Sequence, residues 1–138
     1  MINHKIHQGL SRIFTREVAS SDIGSAMSTD ILDFLISTPT IIHMIIESSC
    51  ELLDCLVPED YVTVGKYIEF SHEKPTLIGE NISLILTVEK IEGEKVFLDI
   101  SVHDSTGLVG KGKYLRLIVN RDELIESAYA RSTQTLAK

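Results

Sequence analysis

The hydrophobic period of this chain changes near residue 60, and the change restricts its fold more than any other feature of the sequence. From about Pro39 to Leu56 the apolar residues recur with a helical period, and Pro58 then prevents the helix from continuing. Its predicted apolar face consists of Ile41, Ile42, Ile45, Ser49, Leu52, Leu53 and Leu56. From Tyr61 onward apolar and polar residues alternate, which predicts strands.

Four consecutive strands are predicted after the helix. The first runs from Tyr61 to His72. Its apolar side is predicted to carry Val62, Val64, Ile68, Phe70 and His72. Residues 82–88 and 96–102 alternate in the same way, and a last strand covers residues 109–119. With a further strand predicted at residues 9–19, the pattern indicates an α+β fold in which a curled antiparallel sheet wraps around one long helix.

The chain is long enough for one core and short for two, so residues 9–121 are predicted to form a single domain. Residues 1–8 are expected to be a flexible arm, and residues 122–138 a C-terminal extension that is either a short helix or disordered. Residues 20–28 predict a loop over the site region, and residues 29–35 a short helical turn. Because a sheet of this size has an open edge strand, we expect a homodimer, from which a higher oligomer could be built.

The formal net charge of −7 argues against binding to nucleic acid or to an anionic membrane. One basic cluster, formed by Lys111, Lys113 and Arg116, is either a solvated strand face or an anion site. Cys50 and Cys55 point in different directions on the predicted helix, which indicates free thiols in a reducing cytoplasm. The sequence has no metal-ligand spacing and no apolar run of membrane-spanning length, so we expect a cytoplasmic protein without metal or cofactor.

The start of the helix is the first candidate for a reactive site. Thr38 is predicted to be the N-cap and Pro39 the first helical residue, so that unpaired N–H groups face outward. Such a helix end suits a phosphate, or a carbonyl oxygen that gains negative charge. The alternative role for Thr38 is capping alone. His72, which ends the strand after the helix, is the second candidate for the site, and its alternative role is a structural hydrogen bond. Helical periodicity places Glu47 opposite the apolar face, as for a solvated side chain.

Several short strings of the sequence together resemble a known family. They are Ser37-Thr38-Pro39, Glu47, Thr63-Val64-Gly65, the run from His72 to Gly79, His103-Asp104 and the run from Gly110 to Arg116. Over about residues 10–120 the chain resembles the hotdog-fold thioesterases, and within them the branch typified by fluoroacetyl-CoA thioesterase.

This resemblance implies hydrolysis of the thioester of a small or unusual acyl-CoA, with coenzyme A as part of the substrate and the site at a dimer interface. The implied catalytic residues are Thr38, Glu47 and His72. The implied substrate-binding residues are Pro39, Gly65, Gly79 and Arg116, of which Arg116 would hold a carboxylate or the CoA phosphates. Counted from Thr38, however, the family's glutamate position falls on Ile46, one residue before Glu47. The alternative is a non-catalytic module that binds or senses acyl-CoA.

Overall fold

The computed structural model describes residues 2–23 and 34–136. In chain order, its strands and α-helices are β1 (Ser11–Glu17), α1 (Thr38–Leu53), β2 (Tyr61–His72), β3 (Asn81–Glu92), β4 (Lys95–Asp104), β5 (Gly107–Asn120) and α2 (Arg121–Leu136). Short 3-10 turns follow β1 at Ser20–Asp22 and α1 at Asp54–Leu56. Neither of the two α-helices in these ranges combines the length and the hydrophobicity of a membrane-spanning helix.

The five strands form one antiparallel sheet in the order β1-β3-β4-β5-β2. Strands β3, β4 and β5 follow one another as a meander, whereas β2 leaves α1 and pairs with the far side of β5. The two edges of the sheet are therefore β1 and β2. As predicted, alternate residues of β3 and β4 are buried, among them Ile82, Leu86, Leu98 and Val102. The α+β class is confirmed.

Helix α1 packs its apolar face on the sheet, with Ile41, Ile45 and Leu53 at 0–1% exposure. The buried face also includes Met44 and Ser48, which the predicted face omitted. Both of these residues line a cleft beside β1, so the buried side of the helix is wider than predicted toward that strand. The helix ends three residues before the predicted Leu56, because its last turn tightens into the 3-10 segment.

Strand β2 contains a bulge that the sequence pattern did not reveal. Gly65 pairs with Arg116, but it is Tyr67 that pairs with Leu115, so Lys66 is the extra residue. An extra residue reverses the alternation of side chains along a strand. Thr63 is consequently buried, and the prediction that Val62 and Val64 share a side with Ile68 is wrong.

Both ends of the chain extend the domain. The residues before β1, which were predicted to be a flexible arm, contact the rest of the domain: Ile6 is 5% exposed, and the N–H of Lys5 donates to the Leu56 carbonyl at 2.7 Å. The C-terminal residues form α2, which continues directly from β5. Most of the predicted loop at 20–28 and of the predicted turn at 29–35 lies outside the described residues.

Candidate active site

The start of α1 differs by one residue from the predicted cap. Ser37 is the N-cap, and its Oγ accepts from the backbone N–H of Thr40 at 3.2 Å. The prediction that Thr38 caps the helix is therefore wrong: Thr38 is the first helical residue and Pro39 the second. Because Ser37 does the capping, the Thr38 hydroxyl is available for a different contact.

That contact is with His72, at the end of β2. Thr38 Oγ1 lies 2.7 Å from His72 Nδ1, across 34 residues of sequence. The hydroxyl is exposed and the imidazole is half-buried, with the Phe70 ring centroid 6.3 Å away. In the tautomer that carries its proton on Nε2, Nδ1 accepts the hydrogen bond from the threonine hydroxyl. A hydroxyl on an imidazole nitrogen is the arrangement required for proton transfer from an attacking oxygen.

Two backbone hydrogen bonds fix the segment that leads into Thr38. The N–H of Ser37 donates to the Asp22 carbonyl at 2.8 Å, and the N–H of Ile36 donates to the Thr76 carbonyl at 3.0 Å. Asp22 is itself immobilised, since its buried carboxylate accepts from both terminal nitrogens of Arg16 at 2.6 and 2.9 Å. The hydrogen bond from Arg16 lowers the pKa of Asp22 despite its burial.

The helix end offers fewer backbone donors than the sequence suggested. Pro39 has no N–H, and the N–H groups of Thr40 and Ile41 both donate to Ser37. Within the described parts of the chain, these bonds leave the backbone N–H of Thr38 for a ligand at this end. The Thr38 hydroxyl contacts His72 at this same end of the helix.

Glu47 does not join this pair within one chain. Its carboxylate is 3.2 Å from His43 Nε2, and its side chain is 66% exposed. Glu47 lines an open cleft of about 250 Å³ beside Arg16 of β1. That strand and β2, which carries His72, are opposite edges of the sheet. Nine residues of helix also separate Glu47 from Thr38, which is roughly 13 Å along the axis and half a turn around it.

Arg116 lies inside the fold, at 2% exposure. Its guanidinium donates to Thr63 Oγ1 at 3.0 Å, to the Thr63 carbonyl at 2.6 Å, to the Tyr114 hydroxyl at 2.7 Å and to Cys50 Sγ at 3.2 Å. Asp54 Oδ1 accepts from the same Thr63 hydroxyl at 2.6 Å. These contacts hold the end of α1 against β2 and β5.

The three basic residues of β5 do not form one surface. Lys113 lies on the exposed side, where Asp99 and Glu89 accept from its ammonium and raise its pKa. Lys111 is two residues away and exposed on the same side, while Arg116 is inside. The strand period of two already places residues 111 and 113 opposite residue 116.

The two glycines that were predicted to bind substrate, Gly65 and Gly79, occupy positions where the fold itself favours glycine. A Cβ on Gly65 would lie 2.6 Å from the Tyr114 hydroxyl, so this position admits no larger side chain without a shift. Gly79 has φ of 92°, which favours glycine, and its N–H donates to the Val18 carbonyl. The structure therefore brings Thr38 to His72, with Pro39 as the next residue of the helix, and places Gly65 against the buried Tyr114. In the described ranges, no three His, Cys, Asp or Glu side chains are grouped to hold a metal ion.

Comparison with solved structures assigns the fold of this chain to the hotdog class. A hot-dog-like protein from Thermanaerovibrio acidaminovorans superimposes with a TM-score of 0.83 at 27% identity, over 90% of this chain and 91% of that one. The fluoroacetyl-CoA thioesterase FlK superimposes with a TM-score of 0.80 at 12% identity, over 91% and 97%. The protein smu.793 from Streptococcus mutans UA159, bound to acetyl CoA, gives 0.66 at 12% identity, over 87% and 90%. The predicted hotdog fold is confirmed.

Sequence comparison narrows the class to a family. The family model of the fluoroacetyl-CoA-specific thioesterases matches residues 18–122. This chain therefore belongs to that family, as the resemblance had indicated. No curated protein sequence matches it.

Proposed function

We propose that this protein hydrolyses the thioester bond of an acyl-CoA with a small or unusual acyl group. The observation that carries the proposal is the 2.7 Å hydrogen bond between Thr38 Oγ1 and His72 Nδ1 at the start of α1. Membership in the fluoroacetyl-CoA-specific thioesterase family supports the reaction class. A protein of similar fold that binds acetyl CoA supports coenzyme A as part of the substrate.

Thioester hydrolysis requires a donor for the carbonyl oxygen and a base for the attacking oxygen. In the proposed reaction, the backbone N–H of Thr38 and the positive end of the α1 dipole stabilise the developing oxyanion. His72 accepts the proton of the Thr38 hydroxyl, or of a water bound beside it, as the new carbon–oxygen bond forms. The sulfur of coenzyme A leaves with a proton returned from the imidazolium. If Thr38 is the nucleophile, water then hydrolyses the acyl-threonine ester; if water attacks directly, the free acid is already formed.

Turnover of a panel of acyl-CoAs tests this proposal. The panel includes acetyl-CoA, fluoroacetyl-CoA and longer linear chains, and release of free thiol is followed. We expect measurable kcat with at least one short-chain ester, and a loss of about 100-fold or more in both Thr38→Val and His72→Gln. Lys95→Ala, at an exposed position of β4, is the control and should retain full activity. Absence of turnover, or full activity in both site variants, would contradict the proposal.

The position of Glu47 favours a second candidate, a module that binds acyl-CoA without hydrolysing it. In one chain its carboxylate is exposed and paired with His43, so the pair of Thr38 and His72 has no carboxylate from α1. Calorimetric titration with coenzyme A and acetyl-CoA separates the two candidates. Micromolar binding with no thiol release above the uncatalysed rate would favour the module, and turnover would exclude it.

We also propose that the protein forms a homodimer through β2. This strand is twelve residues long and lies at an edge of the sheet, where its outward N–H and C=O groups can pair with a second copy. Sedimentation equilibrium should give twice the mass of 15.4 kDa for one chain. A proline at Tyr67, exposed beside the bulge, should shift the equilibrium toward the monomer. A monomeric wild-type protein at micromolar concentration would exclude the dimer.

A further inference from the structure

Asp104 holds two separate segments with its two carboxylate oxygens. Oδ1 accepts from the backbone N–H and the hydroxyl of Thr106 at 2.9 and 2.8 Å, which closes the turn between β4 and β5. Oδ2 accepts from the hydroxyl of Thr76 at 2.8 Å, which lies 28 residues earlier in the chain. Only the second of these contacts leaves the hairpin, so it needs an explanation other than turn formation.

Thr76 belongs to the loop that carries the chain away from His72. Its side chain is 1% exposed, which is unusual for a threonine in a connecting loop. The same loop is fixed at its start, where the N–H groups of Glu73 and Lys74 donate to the Val109 carbonyl at 2.8 and 3.0 Å. The residues that follow His72 are therefore anchored to the β4–β5 hairpin at two points.

The loop is also bonded to the segment that leads into α1. The Thr76 carbonyl accepts from the N–H of Ile36 at 3.0 Å, and the N–H of Ile78 donates to the Phe34 carbonyl at 2.9 Å. Leu35 and Leu77 form a bridge between these two bonds. Two residues after Ile36 the chain reaches Thr38. Thr76 thus lies on the chain that leaves His72 and, through its carbonyl, touches the chain that enters Thr38.

We propose that Asp104 is a positioning residue for the pair of Thr38 and His72, and that it acts through the buried hydroxyl of Thr76. The carboxylate fixes the rotamer of Thr76 and with it the carbonyl that receives Ile36, so the two segments that carry Thr38 and His72 keep one separation. Asp104 touches neither residue of the pair. Its role in turnover rests on the proposed function, but its role in geometry can be measured without turnover.

Asp104 is ionised, as suits a residue that accepts hydrogen bonds on both carboxylate oxygens. Burial would raise its pKa, but the hydrogen bonds from Thr106, from Thr76 and from the backbone N–H of Gly107 outweigh burial, and the pKa lies below the ordinary value. The carboxylate is therefore ionised at neutral pH and accepts on both oxygens. Charge-assisted hydrogen bonds of this kind are shorter and stronger than neutral ones, so they orient their donors more firmly.

The test compares four variants by the ring nitrogen chemical shifts of His72 at fixed pH, assigned by difference from His72→Gln. Thr38→Val gives the shift change that follows from loss of the hydroxyl contact. Thr76→Val, similar in shape but without the hydroxyl, should move the His72 signals at least half as far. Thr76→Ser should restore them. Thr106→Val, which removes a hydroxyl from the other oxygen of Asp104, is the matched control and should leave them unchanged.

Kinetics supply the second measurement. Thr76→Val should lower kcat about tenfold with KM within twofold of wild type, because a misplaced pair affects the reaction more than binding. Should Thr76→Val not fold, Thr76→Ala replaces it, since alanine places no methyl group against the carboxylate. Wild-type His72 shifts in the Thr76 variant, or equal changes in Thr106→Val, would overturn the proposal. A wild-type protein without turnover would instead count against the proposed function and leave the shift test in force.

Discussion

The neighbouring hydroxyl groups of Ser37 and Thr38, at the start of α1, make different contacts. Ser37 accepts the N–H of Thr40, whereas Thr38 reaches His72 on another element. One position along a helix is a rotation of about 100°, so a shift of one residue exchanges a cap for a site residue. A shift of one residue has the same effect further along the helix. The carboxylate is at Glu47 and not at Ile46, so it is rotated by about 100° and faces the cleft beside β1.

These two hydroxyls can be separated by experiment. Ser37→Ala should lower the free energy of unfolding by about 1 kcal/mol, because a helix N–H loses its acceptor. Thr38→Val should change it by no more than about 0.5 kcal/mol, since its hydroxyl bond is exposed. Urea denaturation measures both changes. Turnover should show the reverse order, with the larger loss in Thr38→Val. If Thr38→Val is less stable than Ser37→Ala, Thr38 and not Ser37 is the residue that caps the helix.

Helix α1 is joined to the sheet by different interactions at its two ends. At its start, the contacts are hydrogen bonds of exposed or half-buried groups around Thr38. At its end, Asp54 accepts from the backbone N–H and the hydroxyl of Thr63 at 3.1 and 2.6 Å, and Thr63 in turn accepts from the buried Arg116. The bulge in β2 is what turns Thr63 toward this network. Buried polar groups of this kind are costly when one partner is removed.

Thr63→Val tests how much the network contributes. The substitution keeps the shape of the side chain but leaves the Nε donor of Arg116 without its acceptor in a buried position. We expect the free energy of unfolding to fall by about 3 kcal/mol, measured by urea denaturation. Thr15→Val is the matched control: the Thr15 hydroxyl contacts Ser83 at 2.9 Å on an exposed part of the sheet, and its loss should cost less than about 0.5 kcal/mol. Equal losses in the two variants would show that burial of the network contributes nothing.

For the molecule as a whole, two buried or half-buried carboxylates link stability to pH. Asp22 and Asp104 hold the segments on either side of the Thr38–His72 pair, and both have a lowered pKa. A carboxyl group with a lowered pKa in the folded state stabilises the protein above its unfolded pKa of about 3.9. That contribution is lost as the pH falls through the lower, folded value.

The free energy of unfolding should therefore be nearly constant from neutral pH to about pH 5 and should decrease below about pH 4. Asp22→Asn should reduce stability at pH 7 by about 1–2 kcal/mol, because Arg16 loses a charged partner, and should flatten the acid decline. Thermal unfolding followed by circular dichroism between pH 3 and pH 7 measures both effects. Asp60→Asn, at an exposed position, is the control and should leave the pH profile unchanged. An unchanged profile in Asp22→Asn would contradict the assignment.

The sequence by itself determined the long helix, the five strands, the α+β class and the family of this protein. Burial of a strand residue such as Leu86 or Leu98 follows from its position in a period of two, and burial of Ile41 or Ile45 from its position on a helix. These patterns are local, so they can be read from neighbouring residues. The catalytic roles that the family resemblance implied for Thr38 and His72 stay predictions, and the structure places the two side chains 2.7 Å apart.

Only the tertiary structure decided how the functional side chains are arranged. The bulge at Lys66 buries Thr63, the Thr38 hydroxyl meets His72 across 34 residues, and the carboxylate of Asp104 meets Thr76 across 28 residues. Each of these depends on contacts between segments far apart in the chain, and a period along one segment contains no information about its partners. The sequence therefore predicted which elements form, and the long-range hydrogen bonds set the geometry of the site.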